Sequence, residues 1–421
     1  MRKGDDEEEE EAMANAAKKA VEVAVKAARE EGAEEEEVAK AAVEAAAALG
    51  MTQLKVVSNC KYTYLGVDVK SNRSWKDFKD KAISKARRCM AMSWGMGIHV
   101  GGLSSKAAIN AWKALIRPVM EYGAEVIQYS QNMSGRWKEA EGIQMQMGRR
   151  ILGCRSKTTN AAVRGELGWQ TLKARRDMLR MTYWGKLVSM SRKRWTRRIY
   201  DESRRRYEEN GKTSWCTYTH HILKEYGLED AWVKGTTGMM MKEWKVRVST
   251  AIKSYEAKKW TEEIEQKPKL RTYKVLKKSL EEEEYVMKNR ISEGRRLMTD
   301  MRSGTNGLRI ETGRHYDFKI PVQERTCWCC GDGVEDEKHF VVQCQHYQDE
   351  RVELFQDIME ATEGRCNMGR LQHTQPDILL NFLIGNGAQY KRAEVMKCVQ
   401  KYLVRAIKKR REFCERAGII I

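Results

Sequence analysis

The chain has 421 residues and a net charge of +19, from 78 Lys and Arg against 59 Asp and Glu. Four prolines in all, with abundant Ala, Glu, Lys, Arg and Met, favour helices, and the length allows two or three domains. Eleven scattered cysteines with no apolar leader ahead of them argue against a secreted disulfide scaffold, and no run approaches eighteen apolar residues, so the expectation is an intracellular protein, nuclear or cytoplasmic, with no membrane span.

Residues 1–50 form an acidic, Ala/Glu-rich, low-complexity segment, expected as two marginal solvated helices or disorder. They hold 15 acidic and 7 basic side chains, leaving 44 acidic and 71 basic on the other 371 residues, a balance of +27. A surplus of that size suits a polyanionic partner, of which nucleic acid is the commonest. Gly4, Asp5 and Asp6 have the residue types of a polymerase aspartate pair. They sit in a carboxylate run without the flanking apolar strands such a pair needs.

The texture changes after Lys55. Val56-Val57 and Tyr62 to Val69 are rich in β-branched and aromatic residues and predict two short strands. Ser74 to Asp77 reads as a capping box, with Trp75, Phe78, Ala82 and Ile83 on the face of the helix that follows. Leu103 to Ile116 is the next predicted helix, with Ile109, Trp112 and Ile116 on one side and Pro118 kinking or ending it. Residues 131–300 read as mostly helical. Within them Arg192, Lys193, Arg194, Trp195, Arg197, Arg198 and Tyr200, then Arg204, Arg205 and Arg206, interleave cations with aromatics. Cations neutralise phosphates and aromatics stack on bases, so this is the candidate nucleic-acid patch; the competing reading is a solvated basic helix whose aromatics pack inward. Trp232, Trp244 and Trp260 are expected as core anchors, and His220-His221 as ordinary surface.

The stretch from Cys327 to Cys344 is the most specific. Cys327, Cys330, His339 and Cys344 have the spacing Cys-x2-Cys, eight residues, His, four residues, Cys. Two sulfurs three residues apart converge when the chain curls, and Gly331 and Gly333 supply the freedom for that curl. His-x4-Cys suits the opening of a helix. Three thiolates and an imidazole make a closed, structural zinc site without an open position for chemistry. Cys329 and His346 are spare ligand types nearby, and the alternative to a metal site is three core cysteines and a surface histidine.

Several of these stretches together resemble one family. Tyr64-Leu65-Gly66-Val67, the helix after Ser74, and Arg117-Pro118-Val119-Met120-Glu121-Tyr122-Gly123-Ala124-Glu125 resemble the region after the polymerase core of LINE-type (non-LTR) retrotransposon reverse transcriptases. Val163-Arg164-Gly165-Glu166-Leu167-Gly168-Trp169, with Leu172, Arg175, Arg176, Tyr183 and Trp184, is similar to the linker beyond their thumb. Arg302, Arg325, Glu335-Asp336 and Arg351 recur around their zinc-binding segment, and the resemblance runs from residue 60 to about 385. It implies a thumb-like region (51–130), a basic helical linker (131–300), a zinc-binding domain (301–362) and a basic helical tail (363–421). It also implies an RNA or DNA partner. The family's aromatic-x-Asp-Asp hairpin, which holds catalytic magnesium, is expected before Tyr64, where the acidic segment lies instead. Pro376-Asp377, which a restriction-like nuclease would use, lacks a convincing strand and partner.

The sequence therefore predicts a mainly α protein: helical bundles, a small α/β start and a Cys3His zinc knuckle. The leading functional reading is a truncated, non-catalytic, zinc- and nucleic-acid-binding remnant of a reverse transcriptase. A zinc-stapled protein-interaction scaffold and part of an active polymerase are the alternatives.

Overall fold

The computed structural model describes isolated positions between 19 and 44, and then residues 61–64, 66–70, 75–95, 97, 104–127, 135–211, 215–236, 239–288, 292–315, 319–386 and 390–419. The chain divides into two compact units, Met1–Phe78 and Lys79–Ile421. In the first, the described residues between 19 and 44 are helical and almost all exposed. The Gly4-Asp5-Asp6 and Val56-Val57 readings lie outside the described residues. The strand expected over Tyr62–Val69 is instead a hairpin, β1 (Lys61–Tyr64) antiparallel to β2 (Val67–Lys70), with Tyr64 opposite Val67. Gly66 explains the reversal, because its φ of +78° is open to glycine at little cost.

All the remaining regular structure among the described residues is helical. Helix α1 (Lys76–Gly95) turns Phe78, Ala82, Ile83, Ala86 and Met90 inward at helical spacing. Helix α2 (Ser105–Ala111), capped by Ser104, runs through a π turn (Trp112–Ile116) into α3 (Arg117–Glu121). Pro118, expected to kink or end this helix, does not end it. Having no N–H, it cannot bond back to Ala114, and the widened turn, in which Arg117 N bonds Trp112 O, carries the helix past it.

Next come α4 (Gly135–Leu152), α5 (Asn160–Leu167), α6 (Leu172–Ser189), α7 (Trp195–Asn210), α8 (Trp215–Glu225), α9 (Glu229–Lys234) and α10 (Met241–Glu265). Thr159 and Thr171 cap α5 and α6 by accepting from Ala162 N and Ala174 N. In α10 every fourth residue from Trp244 to Ile264 is buried, a ridge laid against α6 and α5. Gly185 lets Trp244 come close enough to pack at 5.3 Å on Trp184. Trp232, Trp244 and Trp260 are core anchors, as their sequence context suggests. His220 is not ordinary surface: its ring stacks at 4.7 Å on Trp232 and shares a 2.9 Å hydrogen bond with the Tyr207 hydroxyl.

The last third contains α11 (Tyr273–Leu276), α12 (Glu284–Lys288), α13 (Glu293–Ser303), α14 (Arg309–Thr312), α15 (Gln348–Ala361), α16 (Met368–Gln372), α17 (Pro376–Ile384) and α18 (Arg392–Arg416). Helix α13 is the axis of this part, buried from Gly294 to Ser303 except at Arg296. Helix α18 packs on α13 and α15, and Gly294 makes the approach possible, since a Cβ there would meet the Gln400 carbonyl at 2.7 Å. Residues 79–421 cluster as one compact unit. Pro376-Asp377 opens α17 rather than a strand, and the exposed Asp377 pairs with Lys338 at 3.0 Å. Among the described residues no helix is long and apolar enough to cross a membrane.

Candidate metal centre and basic surface

Cys327 to Val334 is a tight hairpin. Cys327 N donates to Gly333 O at 3.0 Å, Gly331 N donates to Cys327 O at 2.9 Å, and Thr326 bridges Val334. Gly331 (φ +70°) and Gly333 (φ +64°) supply the left-handed turns. Asp336 then caps the next turn, its Oδ1 accepting from His339 N at 2.7 Å. His339–Gln343 is a π turn, not the α-helical opening that His-x4-Cys suggests. The reason is geometric: five residues of α-helix rotate a side chain about 140° past one full turn. The wider π turn, closed by Cys344 N to His339 O at 2.8 Å, stacks the two ligands instead.

The ligand atoms of Cys327, Cys330, His339 and Cys344 all lie within 4.8 Å of one another. Cys327 Sγ is 3.9 Å from Cys344 Sγ, and Cys330 Sγ is 3.3 Å from His339 Nε2. Bonds of about 2.3 Å to sulfur and 2.0–2.1 Å to nitrogen give tetrahedral edges of about 3.8 Å and 3.5 Å, so the cage fits a four-coordinate metal. Cys327 and Cys344 are buried, which a bare thiolate tolerates poorly. Hydrogen bonds from Cys329 and Cys344 lower the Cys327 thiol, and the same bonds raise Cys329 and Cys344. The spare ligand types fall outside the cage. Cys329 Sγ lies 3.3 Å from the Tyr347 hydroxyl, and the His346 ring packs against Phe413 and Tyr347.

Buried ion pairs hold this cage to the helices, and no local sequence pattern announces them. Glu335, fully buried, accepts from Arg410 at 2.7 and 2.9 Å and from Arg309 N at 2.8 Å. Glu337, also fully buried, accepts from Arg271 at 2.6 Å, Thr272 at 2.7 Å and Asn306 at 2.8 Å. The Tyr402 hydroxyl donates to the Phe340 and Val341 carbonyls of the π turn at 3.1 and 3.3 Å. The resemblance-marked residues belong to the same framework. Arg325 binds the Ile310 and Ile320 carbonyls, Arg351 the Cys344 carbonyl, and Arg302 both Glu166 at 2.9 Å and the Ile384 carbonyl. Arg164 pairs with Glu256 at 3.3 Å and Glu263 at 2.8 Å.

Helix α7 sorts the candidate patch into three groups. Arg192, Lys193, Arg194 and Arg198 are exposed with no acidic partner among the described residues, and Trp195 beside them is 74% exposed. Arg197, Arg204, Arg205 and Arg206 are paired within the helix to Asp201, Glu208, Glu202 and Glu209 at 2.6–2.8 Å. Tyr200 is the third: it is 4% exposed, its hydroxyl accepting from Trp184 Nε1 at 3.0 Å. It cannot stack on a base, because its position places it on the face packed against α6. The basic run of α18 is likewise engaged, with Lys401, Arg405 and Lys409 facing Asp357, Glu353 and Glu350 of α15.

The fold and site thus define a mainly α protein with a Cys3His group that could hold a metal ion. No family model, curated protein or solved structure matches the chain.

Proposed function

We propose that the Cys3His group holds a structural zinc ion and that the body of the chain binds RNA or DNA without catalysing a reaction on it. In this reading the protein corresponds to the thumb-to-zinc portion of non-LTR retrotransposon reverse transcriptases, which its motifs resemble. The observation that carries it is the start of α7: Arg192, Lys193, Arg194 and Arg198, without acidic partners among the described residues, grouped around the exposed Trp195. Unpaired cations release counterions from a phosphate chain, and an exposed indole stacks on any base. Zinc serves the fold. Three thiolates and an imidazole fill its coordination shell, and residues up to 17 positions apart come together only in the folded turn, so metal binding couples to folding.

The test has two parts. Elemental analysis of purified protein should give one zinc per chain, lost in the Cys330→Ser plus Cys344→Ser variant. RNA and DNA oligonucleotides should bind at 50 mM salt. Absence of metal from the unmutated chain removes the zinc assignment. Absence of binding at 50 mM salt removes the nucleic-acid assignment and leaves a protein-interaction scaffold, for which the neighbouring exposed Trp195 and Ile199 would be the contact.

A further inference from the structure

A groove of about 800 Å3 lies among the π turn Trp112–Ile116, the end of α5, one face of α10 and residues 278–282. It shares no residue with the Cys3His group or with the start of α7. Its size falls in the range of sites that enclose ligands. Five cations line it, Lys113, Arg117, Arg175, Lys253 and Lys278, against two carboxylates, Glu281 and Glu282.

The positive charge is locally under-compensated. Arg117 and Arg175 share one carboxylate oxygen of Glu121, Arg117 at 3.3 Å and Arg175 by a hydrogen bond. The Arg117 atom in that contact is its buried Nε, which meets the oxygen as an ion pair without a hydrogen bond. Burial lowers the Arg117 pKa against the pull of Glu121, and repulsion from Arg175 lowers it further. A second anion placed between the two guanidinium groups would offset their mutual repulsion.

The walls are fixed before any ligand arrives. Trp112 and Trp169 stack at 5.3 Å with 18° between their planes, joining the π turn to the end of α5. Leu167 bridges Glu282, and Glu283 N donates to Glu166 O at 2.9 Å, tying residues 282–283 to the same place. That closure needs Gly168, where φ is +63° and a Cβ would meet Glu282 N at 2.6 Å. Lys113 and Arg117, four positions apart across the π turn, both line this wall, and such turns recur at functional sites.

We propose that this groove binds single-stranded nucleic acid, its cations gripping consecutive phosphates. The proposal rests on the nucleic-acid reading above and gives it a second binding surface, separate from α7. A single strand can thread a cavity of this volume, whereas a duplex carries its phosphates on outer rails that cannot descend into it. Lys113, Lys253 and Lys278 are exposed and have no acidic partner among the described residues, so replacing them leaves the packing intact.

The experiment compares the unmutated chain with Lys113→Gln plus Lys253→Gln plus Lys278→Gln. Anisotropy of labelled 12-nucleotide U and dT strands and of a 12-base-pair duplex is followed across salt. For single strands the slope of log affinity against log salt should become shallower by about 2 in the variant, at about 0.7 for each phosphate no longer neutralised. Duplex binding should be the same for both proteins. An unchanged single-strand slope while the unmutated chain binds overturns the groove and leaves the wider reading standing. Equal weakening on duplex and single strand overturns the single-strand assignment. Failure of the unmutated chain to bind any of the three at 50 mM salt overturns both.

Discussion

Glu335→Ala is the perturbation whose cost the structure specifies most closely. The carboxylate is fully buried and takes two hydrogen bonds from Arg410, whose side chain is 3% exposed, and one from Arg309 N. Its removal leaves a guanidinium without a counter-charge in a dry place, which costs about 3–5 kcal/mol. The orphaned Arg309 amide adds about 1 kcal/mol. Arg410→Met should cost less, toward about 3 kcal/mol, because Glu335 keeps the Arg309 amide. The double variant Glu335→Met plus Arg410→Met should cost well under the sum, since no charge is stranded. Urea unfolding of the purified protein, followed by tryptophan fluorescence, measures each as a shift in midpoint at constant slope. A Glu335→Ala cost below about 1 kcal/mol, or single costs that simply add, would refute the buried pair as the bolt between the Cys3His segment and α18.

Further outcomes follow from other sites. Burial raises the Glu283 carboxyl, but Arg302, Lys277 and Arg392 outweigh it and bring it down to about 2. Its folded pKa is depressed, so the unfolded chain binds the extra proton as pH falls. Stability present above pH of about 4.5 should be lost between there and about 2, by on the order of 3 kcal/mol, in a urea series at falling pH; Glu283→Gln should flatten that loss. Ala is normally better than Gly inside a helix, yet Gly165→Ala should destabilise by about 1–3 kcal/mol, because its Cβ would lie 2.7 Å from the Trp260 ring and overlap the Tyr273 hydroxyl; thermal or urea unfolding gives the sign. Trp195→Ala should weaken single-strand binding by about 1–3 kcal/mol and leave the unfolding midpoint unchanged, whereas Tyr200→Ala should lower stability by about 3–5 kcal/mol.

What is legible in the sequence is what is local. The four ligands Cys327, Cys330, His339 and Cys344 can be named because spacing and two glycines encode the knuckle within 18 residues. The helices follow from composition and from stripes such as Phe78 to Met90. The patch is half legible. Its cations stand out, but the sequence groups Tyr200 with Trp195 although five residues of helix turn the two rings to different faces. The hairpin at Gly66 reads as one strand because its turn leaves no break in β-branched character. The Glu335–Arg410 bond spans 75 residues and those of Tyr402 about 60, so no local pattern reveals them. The resemblance marks Glu335 but not Glu337, and the burial of both is decided by distant arginines.

The central claim, that this body grips a phosphate chain, is tested most directly by the salt dependence of single-stranded RNA affinity in the unmutated chain and in Arg192→Gln plus Lys193→Gln plus Arg194→Gln plus Arg198→Gln. At about 0.7 per phosphate, four neutralised at the start of α7 supply a slope of about 3, and affinity should fall by roughly 50-fold or more between 50 and 200 mM salt. The quadruple variant should be shallower than the unmutated chain by about 3. A slope below about 1 in the unmutated chain, or the same slope in both proteins, would contradict the account.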